Sequence, residues 1–233
     1  ATGTQRDPRG VSDGQGGLLV VWADERTSTA DIYANRLTSS GVIAPGWPAD
    51  GRPLISPSAV RIFEGYLVSD QVGAWLVGWL SPTGAHVLRI DSEGTPLPGW
   101  PSGGRLVSSR RGPNGLAPDG NGGAFVGLST LTPTGADDKN YYLQHVTSTG
   151  TVDPTWNPDG NAVCEAPGFR YAMHVTPDGV GGAIMQWQDS RTPGGYELVY
   201  MSRMLANGTR PHGWPVDGRR VTPLQSFQTV GSV

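Results

Sequence analysis

The sequence predicts an all-β fold built from four repeats of about 55 residues. Two phrases support this, and each occurs four times. In the first, a turn aspartate is followed nine positions later by the last apolar residue of a short strand: Asp13 to Trp22, Asp70 to Trp79, Asp119 to Leu128 and Asp178 to Trp187. In the second, a tryptophan lies in a turn rich in Pro and Gly: Trp47, Trp100, Trp156 and Trp214. Two independent markers with one period indicate a repeat architecture.

Composition narrows the class further. The 233 residues include 35 Gly and 20 Pro, which indicates many turns, while 8 Trp and recurring apolar runs argue against disorder. The net charge of −3 is spread along the chain, so we expect no nucleic-acid partner. No apolar run reaches 18 residues, so we expect no direct membrane insertion. The lone Cys164 cannot form an internal disulfide and is expected to be a small buried filler.

The first two strands of each repeat form a hairpin. The first strand runs into the Asp-Gly turn, and glycines there supply the positive φ that a tight hairpin turn needs. The second strand is almost continuously apolar, which predicts burial on both faces. The predicted first strands are Pro8–Ser12, Gly65–Ser69, Gly115–Pro118 and Ala172–Pro177, and the second are Gly17–Trp22, Ala74–Trp79, Gly123–Leu128 and Gly182–Trp187.

The other two strands of each repeat are more polar. The third alternates apolar and polar residues, which predicts one packed and one wetter face. The fourth carries the polar content of an outer edge. The predicted third strands are Asp31–Leu37, His86–Ile90, Tyr141–Val146 and Leu198–Leu205, and the fourth are Arg52–Ile55, Arg105–Ser108, Asn161–Cys164 and Arg219–Thr222.

Four-stranded antiparallel units at this period are typical of a β-propeller, in which each unit is one blade. We therefore predict a β-propeller or a segment of one, with about four blades; a β-sandwich or β-solenoid is the alternative. Residues 1–233 form a single repeat domain, with repeats at approximately 5–56, 57–109, 110–165 and 166–225. We expect residues 226–233 to begin a further repeat or to close the ring. We expect an excerpt of a longer propeller, the alternative being a four- to five-bladed ring closed by the termini.

The repeat phrases also carry a resemblance. D-G-x-G-G-apolar-x-W-x-D-x-R, D-I-Y-A-x-R-L and G-W-P-x-x-G together resemble the tandem propeller-type repeats of secreted or surface bacterial proteins. The resemblance covers the chain from about Gln5 to Val233. The second and third repeats depart from it: Gln71 and Val72 replace the glycine pair, and the D-x-R loop is missing after Trp79 and Leu128. The resemblance implies a secreted, extracellular or cell-surface location, with the periplasm as a further option.

Residues that bear chemistry are sparse. The turn aspartates lack the neighbouring acids of a calcium loop, so we expect them to cap their own turns. The pairs Asp24/Arg26 and Asp189/Arg191 are interpreted as loop braces rather than catalytic carboxylates. The histidines lack metal-ligand spacing, and no nucleophile elbow or phosphate-binding loop is present. We therefore predict no catalytic residue, no metal and no cofactor.

The G-W-P tryptophans are the candidate ligand-binding residues. In a lectin-like propeller, Trp47, Trp100, Trp156 and Trp214 would expose their rings for sugar stacking. The alternative, which we prefer, is that each tryptophan is a plug between neighbouring blades. Trp75 lies outside the repeat register and is a candidate exposed contact.

These observations predict a non-catalytic extracellular binding or scaffold module that contacts a protein partner in a larger surface assembly, with a glycan as a second type of partner. The chain is expected not to be an enzyme. The first alternative is a carbohydrate-binding, lectin-like propeller. The second is a glycosidase-like propeller enzyme, in which acidic residues from different blades meet in the central funnel. The choice rests on analogy between folds and on missing motifs.

Overall fold

The computed structural model describes residues 2–27, 30–55, 62–130, 139–191 and 197–222, without the side chains of residues 62–64. In this part of the chain, sixteen strands form four antiparallel sheets of four strands each. The prediction of an all-β propeller with one four-stranded blade per repeat is confirmed. Across the same residues, no helix has the length and hydropathy needed to cross a bilayer.

The four blades follow one another along the chain. Blade 1 contains β1 (Gln5–Ser12), β2 (Leu18–Asp24), β3 (Asp31–Leu37) and β4 (Arg52–Ile55). Blade 2 contains β5 (Ile62–Ser69), β6 (Trp75–Ser81), β7 (Gly84–Ile90) and β8 (Arg105–Ser108). Blade 3 contains β9 (Arg111–Pro118), β10 (Ala124–Thr130), β11 (Tyr141–Val146) and β12 (Asn161–Cys164). Blade 4 contains β13 (Arg170–Pro177), β14 (Ala183–Asp189), β15 (Leu198–Met204) and β16 (Arg219–Arg220).

The first strands differ most from their predicted bounds, because each begins two to four residues earlier. A β-bulge explains the difference. In blade 1 the register shifts between Arg6 and Arg9, and pairing with β2 then continues to Gln5. Similar shifts occur in β5, β9 and β13. A bulge interrupts the alternation that marks a strand in sequence, so the residues beyond it do not stand out as strand.

The Asp-Gly turn between the first two strands forms as predicted. In blade 1, Asp13 Oδ1 accepts hydrogen bonds from the backbone N–H groups of Gln15 and Gly17, both at 2.8 Å. Gly14 and Gly16 take φ values of 74° and 83°, where a side chain would be strained. The other three turns repeat the pattern through Asp70, Asp119 and Asp178. The turn is therefore closed by the aspartate itself.

The first strands lie at the centre of the arc of blades. β1 packs against β5, β5 against β9, and β9 against β13. Glycines in the second strand make room for the next blade: Leu116 contacts the site of Gly78, and Val175 packs on Gly127. The blades are thus joined face to face by apolar contacts close to the centre.

All four second strands were predicted to be buried on both faces. This holds for the second strands of blades 2 and 3. In blades 1 and 4 only one face is buried. Leu18, Val20 and Trp22 of β2 are at least partly exposed, and so are Ile184, Gln186 and Gln188 of β14. The expected alternation of the third strands is clear only in β15. Burial therefore depends on the position of a blade in the arc as well as on its sequence.

Candidate active site

An acidic side chain lies at a strained backbone position of β1, the strand of blade 1 at the centre of the arc of blades. Asp7 is in the β1 bulge, between the paired positions Arg6 and Arg9. Its φ of 55° is uncommon for a residue with a side chain. Such backbone strain is concentrated at functional sites, and bulges are frequent beside them. Ala172, at the same position of blade 4, has a φ of 54°, so the bulge is common to the repeat and the carboxylate is the specific feature of blade 1.

The Asp7 carboxylate is held by a neighbouring cation and remains open to solvent. Arg6 Nη1 donates to Asp7 Oδ2 at 2.8 Å, and Arg6 Nε donates to Glu25 Oε1 at 2.9 Å. The side chain of Asp7 is 43% exposed and that of Glu25 is 39% exposed. One guanidinium therefore orients two accessible carboxylates near the centre of the arc.

A second acidic residue occupies the equivalent position in blade 2. Glu64 and Asp7 each lie six positions before the turn aspartate of their blade. Glu64 belongs to β5, within a register shift between Ile62 and Tyr66, although its side chain is outside the described part. Arg9 Nε donates to the carbonyl of Gly65 at 3.2 Å, which ties the two bulges together across the blade boundary. The fold thus brings two acidic positions far apart in sequence to adjacent central strands.

Blades 3 and 4 do not repeat the acidic position, since Pro113 and Ala172 occupy it. This asymmetry is the signal that sequence reasoning missed. It is visible when the four repeats are aligned on the turn aspartate, but in blades 1, 2 and 3 the aligned position lies outside the predicted strand. A site assembled from different blades also has no short motif, so the missing motifs did not exclude an enzyme.

The D-x-R pairs are loop braces. Asp24 Oδ2 accepts from Trp22 Nε1 at 2.9 Å and from Arg26 Nη2 at 2.5 Å, and the Asp24 side chain is fully buried. The Arg26 hydrogen bonds hold the pKa of Asp24 well below its usual range. Asp189 repeats the arrangement with Trp187 and Arg191 in blade 4. A buried, ionised and saturated carboxylate cannot reach a substrate.

The turn aspartates have a second partner that the sequence did not suggest. The third strand supplies an arginine or histidine to each: Arg36 to Asp13, Arg89 to Asp70, His145 to Asp119 and Arg203 to Asp178. Hydrogen bonds from the Gln15 amide and from Arg36 lower the pKa of Asp13. No group of three or more His, Cys, Asp or Glu side chains suited to a metal ion occurs among the described residues.

His86 and His145 also have structural partners. His86 stacks on Trp79, with ring centroids 5.4 Å apart, and burial lowers its pKa. His145 lies between two carboxylates, with Nδ1 2.9 Å from Asp153 Oδ2 and Nε2 3.0 Å from Asp119 Oδ2. Burial alone would lower the pKa of His145, but these two hydrogen bonds outweigh it and raise the pKa.

Three of the four G-W-P tryptophans lie between blades. Trp47, Trp100 and Trp156 are 8%, 5% and 4% exposed. Each indole N–H donates to a backbone carbonyl in the next blade, at Ser92, Ser148 and Ala206 respectively, over 3.0–3.1 Å. These three rings leave no open face for a sugar, contrary to the requirement of the lectin-like alternative. Trp214, in the last described blade, is only partly buried.

Trp75 is a correction, because it is 5% exposed and does not form an exposed contact. It lines a polar cavity of about 250 Å³ between blades 1 and 2, together with Asp13 and Arg36. Cys164 is buried as expected, and Arg191 Nη2 donates to its Sγ at 3.0 Å. Burial raises the pKa of the Cys164 thiol.

The chain matches no protein-family model, and no curated protein matches it. Its fold is similar to that of an endo-arabinase from Bacteroides thetaiotaomicron VPI-5482, with a TM-score of 0.50 and 13% identity over 96% of this chain and 81% of that chain. A structure described as a glycoside hydrolase gives a TM-score of 0.50 at 13% identity, over 95% of this chain and 52% of the other. An α-L-arabinanase from Cellvibrio cellulosa gives 0.47 at 11% identity, over 93% and 76%.

These similarities correct two expectations from the sequence, namely a non-catalytic binding or scaffold module and a chain that is not an enzyme. Both rested on analogy between folds. Two solved structures with this fold are described as an endo-arabinase and a glycoside hydrolase, so analogy between folds does not support a non-catalytic module. The absence of local motifs could not decide the question, because a site built from several blades has no local motif.

Proposed function

We propose that this chain is a glycosidase-like propeller that hydrolyses a polysaccharide, with its site at the bulges of β1 and β5. The observation that carries the proposal is the placement of Asp7 and Glu64 at one position of two adjacent central strands, joined by the Arg9–Gly65 hydrogen bond. Glycoside hydrolysis uses two carboxyl groups that flank the scissile bond. The fold similarity to an endo-arabinase and a glycoside hydrolase supports the same chemistry.

The role of Asp7 is assigned from its contacts, and Glu64 receives the other role that the reaction requires. Asp7, which the Arg6 guanidinium orients at 2.8 Å, is assigned the role of nucleophile or base. Glu64 is assigned to the second carboxyl group, which protonates the leaving oxygen. Hydrogen bonds outweigh burial and lower the pKa of six other carboxyl groups, so none of them suits a general acid. These groups are Asp13, Asp24, Asp119, Asp153, Asp178 and Asp189. An extracellular location belongs to the same proposal, since a polysaccharide does not cross a membrane.

The test is release of reducing sugar from arabinan and xylan by the full chain. We expect hydrolysis of at least one polymer, and a loss of about 10²–10⁴-fold in kcat for Asp7→Asn and for Glu64→Gln. Glu93→Gln is the matched control, because Glu93 is an exposed acid in a turn far from the bulges and should leave activity unchanged. Circular dichroism checks that each variant is folded. Absence of hydrolysis on both polymers, or full activity in both bulge variants, would overturn the proposal.

A further inference from the structure

The three joints between described blades share one set of parts. The G-W-P tryptophan of one blade donates its indole N–H to a backbone carbonyl in a glycine-containing turn of the next blade. The turn glycine lies against the ring, since a methyl group at Gly94 would lie 2.8 Å from Trp47, and one at Gly150 would lie 3.0 Å from Trp100. Each joint therefore has a tryptophan plug on one blade and a glycine-turn socket on the other.

The two end blades carry one unused half of this joint each. In blade 4, Trp214 is partly exposed, and its indole N–H has no acceptor among the described residues. In blade 1, the equivalent turn ends at Gly41, and a methyl group there would have no heavy atom within 4 Å. The carbonyl of Ser39 in this turn corresponds to the acceptors at Ser92, Ser148 and Ala206. The arc thus has a free plug at one end and a free socket at the other.

The adjoining sheet faces are open as well. On the outer face of blade 1, Leu18 is 37% exposed, whereas its counterpart Trp75 in blade 2 is buried. On the outer face of blade 4, His174, Thr176 and Gln186 are exposed, although the same face of blade 3 is buried around Phe125 and Gly127. Both faces continue the surfaces that pack blade on blade elsewhere in the chain.

The geometry points to one occupant for both faces: we propose that they form a slot for a single further four-stranded blade of the same repeat pattern. Such a unit presents a glycine turn to Trp214 on one side and a G-W-P tryptophan to the Ser39–Gly41 turn on the other. The length of the endo-arabinase chain agrees with one further blade. The aligned 96% of this chain's 233 residues makes up 81% of the endo-arabinase chain, so the rest of that chain is about 50 residues, close to one repeat.

The test adds a blade to the chain. Residues 56–109, which are Ser56 followed by the second repeat, are joined directly after Thr222 in place of residues 223–233. This preserves the spacing between a fourth strand and the next first strand. Oxidation by N-bromosuccinimide, read by peptide mass spectrometry, measures the exposure of Trp214. In the original chain Trp214 should react faster than Trp100. In the extended chain its reaction should slow at least about tenfold, and the melting temperature should rise by several degrees.

Two matched variants make the result specific to the joint. Replacing the appended copy's Gly94 with leucine should block the socket and restore the reactivity of Trp214. Val216→Ala, at a side chain that is 69% exposed near Trp214, should change nothing. The proposal is overturned if Trp214 stays reactive in the extended chain. It is also overturned if Trp214 of the original chain becomes protected as concentration rises, because the occupant is then a second copy.

Discussion

At the scale of single residues, the repeat motifs work through side chains that the sequence places far apart. The glycine that ends G-W-P-x-x-G touches the tryptophan of the second strand: Gly51 meets Trp22, Gly104 meets Trp79 and Gly218 meets Trp187. The same tryptophans in blades 1 and 4 bind the D-x-R aspartates. The two markers that define the repeat in sequence are therefore in contact within each of these blades.

Gly104→Ala tests this contact. Gly104 has a φ of 75°, and an added methyl group would overlap the Trp79 ring. We expect a loss of about 2–4 kcal/mol in the free energy of unfolding, from left-handed strain and from overpacking. Gly103→Ala is the control, because nothing lies within 4 Å of a methyl group there. It should change stability by less than about 0.5 kcal/mol in urea denaturation. Equal losses for the two variants would contradict the contact.

His145 predicts a pH dependence of stability. Its pKa in the folded chain is raised by Asp119 and Asp153 despite burial, so the protonated form stabilises the fold. This contribution is complete below the unfolded pKa of about 6.5 and is lost as the pH rises through the folded pKa. His145→Arg, the residue type at the other three equivalent positions, should keep its charge. We expect the stability difference between the two chains to shift in favour of the variant from about pH 6 to pH 9.

The measurement is urea denaturation of both chains across this pH range. Burial lowers the pKa of His86, so His86 acts in the opposite direction, but it is common to both chains and cancels in the difference. A difference that is constant with pH would show that His145 does not stabilise the fold through its charge.

At the scale of elements, the G-W-P turn is a joint between sheets. Trp100→Ala removes a ring that is 5% exposed and a hydrogen bond to Ser148 O, so we expect a loss of about 3–5 kcal/mol. Trp214→Ala removes the equivalent ring where no acceptor among the described residues contacts it, and should cost less than about 2 kcal/mol. Thermal and urea unfolding of the two variants measures the difference. Similar losses would mean that the ring acts within its own blade.

Strand limits set by contacts between residues close in sequence were predicted correctly, and limits set by pairing with another strand were not. The fourth strands Arg52–Ile55, Arg105–Ser108 and Asn161–Cys164 have the predicted bounds, since their limits are set by local turns. The first strands were predicted too short, because pairing with the second strand carries them past the bulge. Asp7 and Glu64 lie in the added segments. The candidate site was therefore hidden in the part of the strand that local pattern does not mark.

At the scale of the whole molecule, blades 2 and 3 are covered on both faces and blades 1 and 4 on one. We expect backbone amides of β6 and β10 to exchange hydrogen more slowly than those of β2 and β14. All four are second strands with paired neighbours on both sides, so the comparison isolates the coverage of the faces. Peptide-resolved hydrogen exchange measures the rates. Equal protection in all four strands would contradict a difference between inner and end blades.

The sequence by itself determined the number of repeats, the type and order of the strands and the Asp-Gly turns. These features depend on hydrophobic period and turn chemistry, which act between residues close in the chain. Only the tertiary structure decided that Trp47, Trp100 and Trp156 are buried between blades and that Asp7 and Glu64 share adjacent central strands. Such relations join residues about one repeat apart, because side chains from successive blades meet only when the sheets pack face to face. The candidate site therefore depends on contacts between blades, which only the folded chain makes.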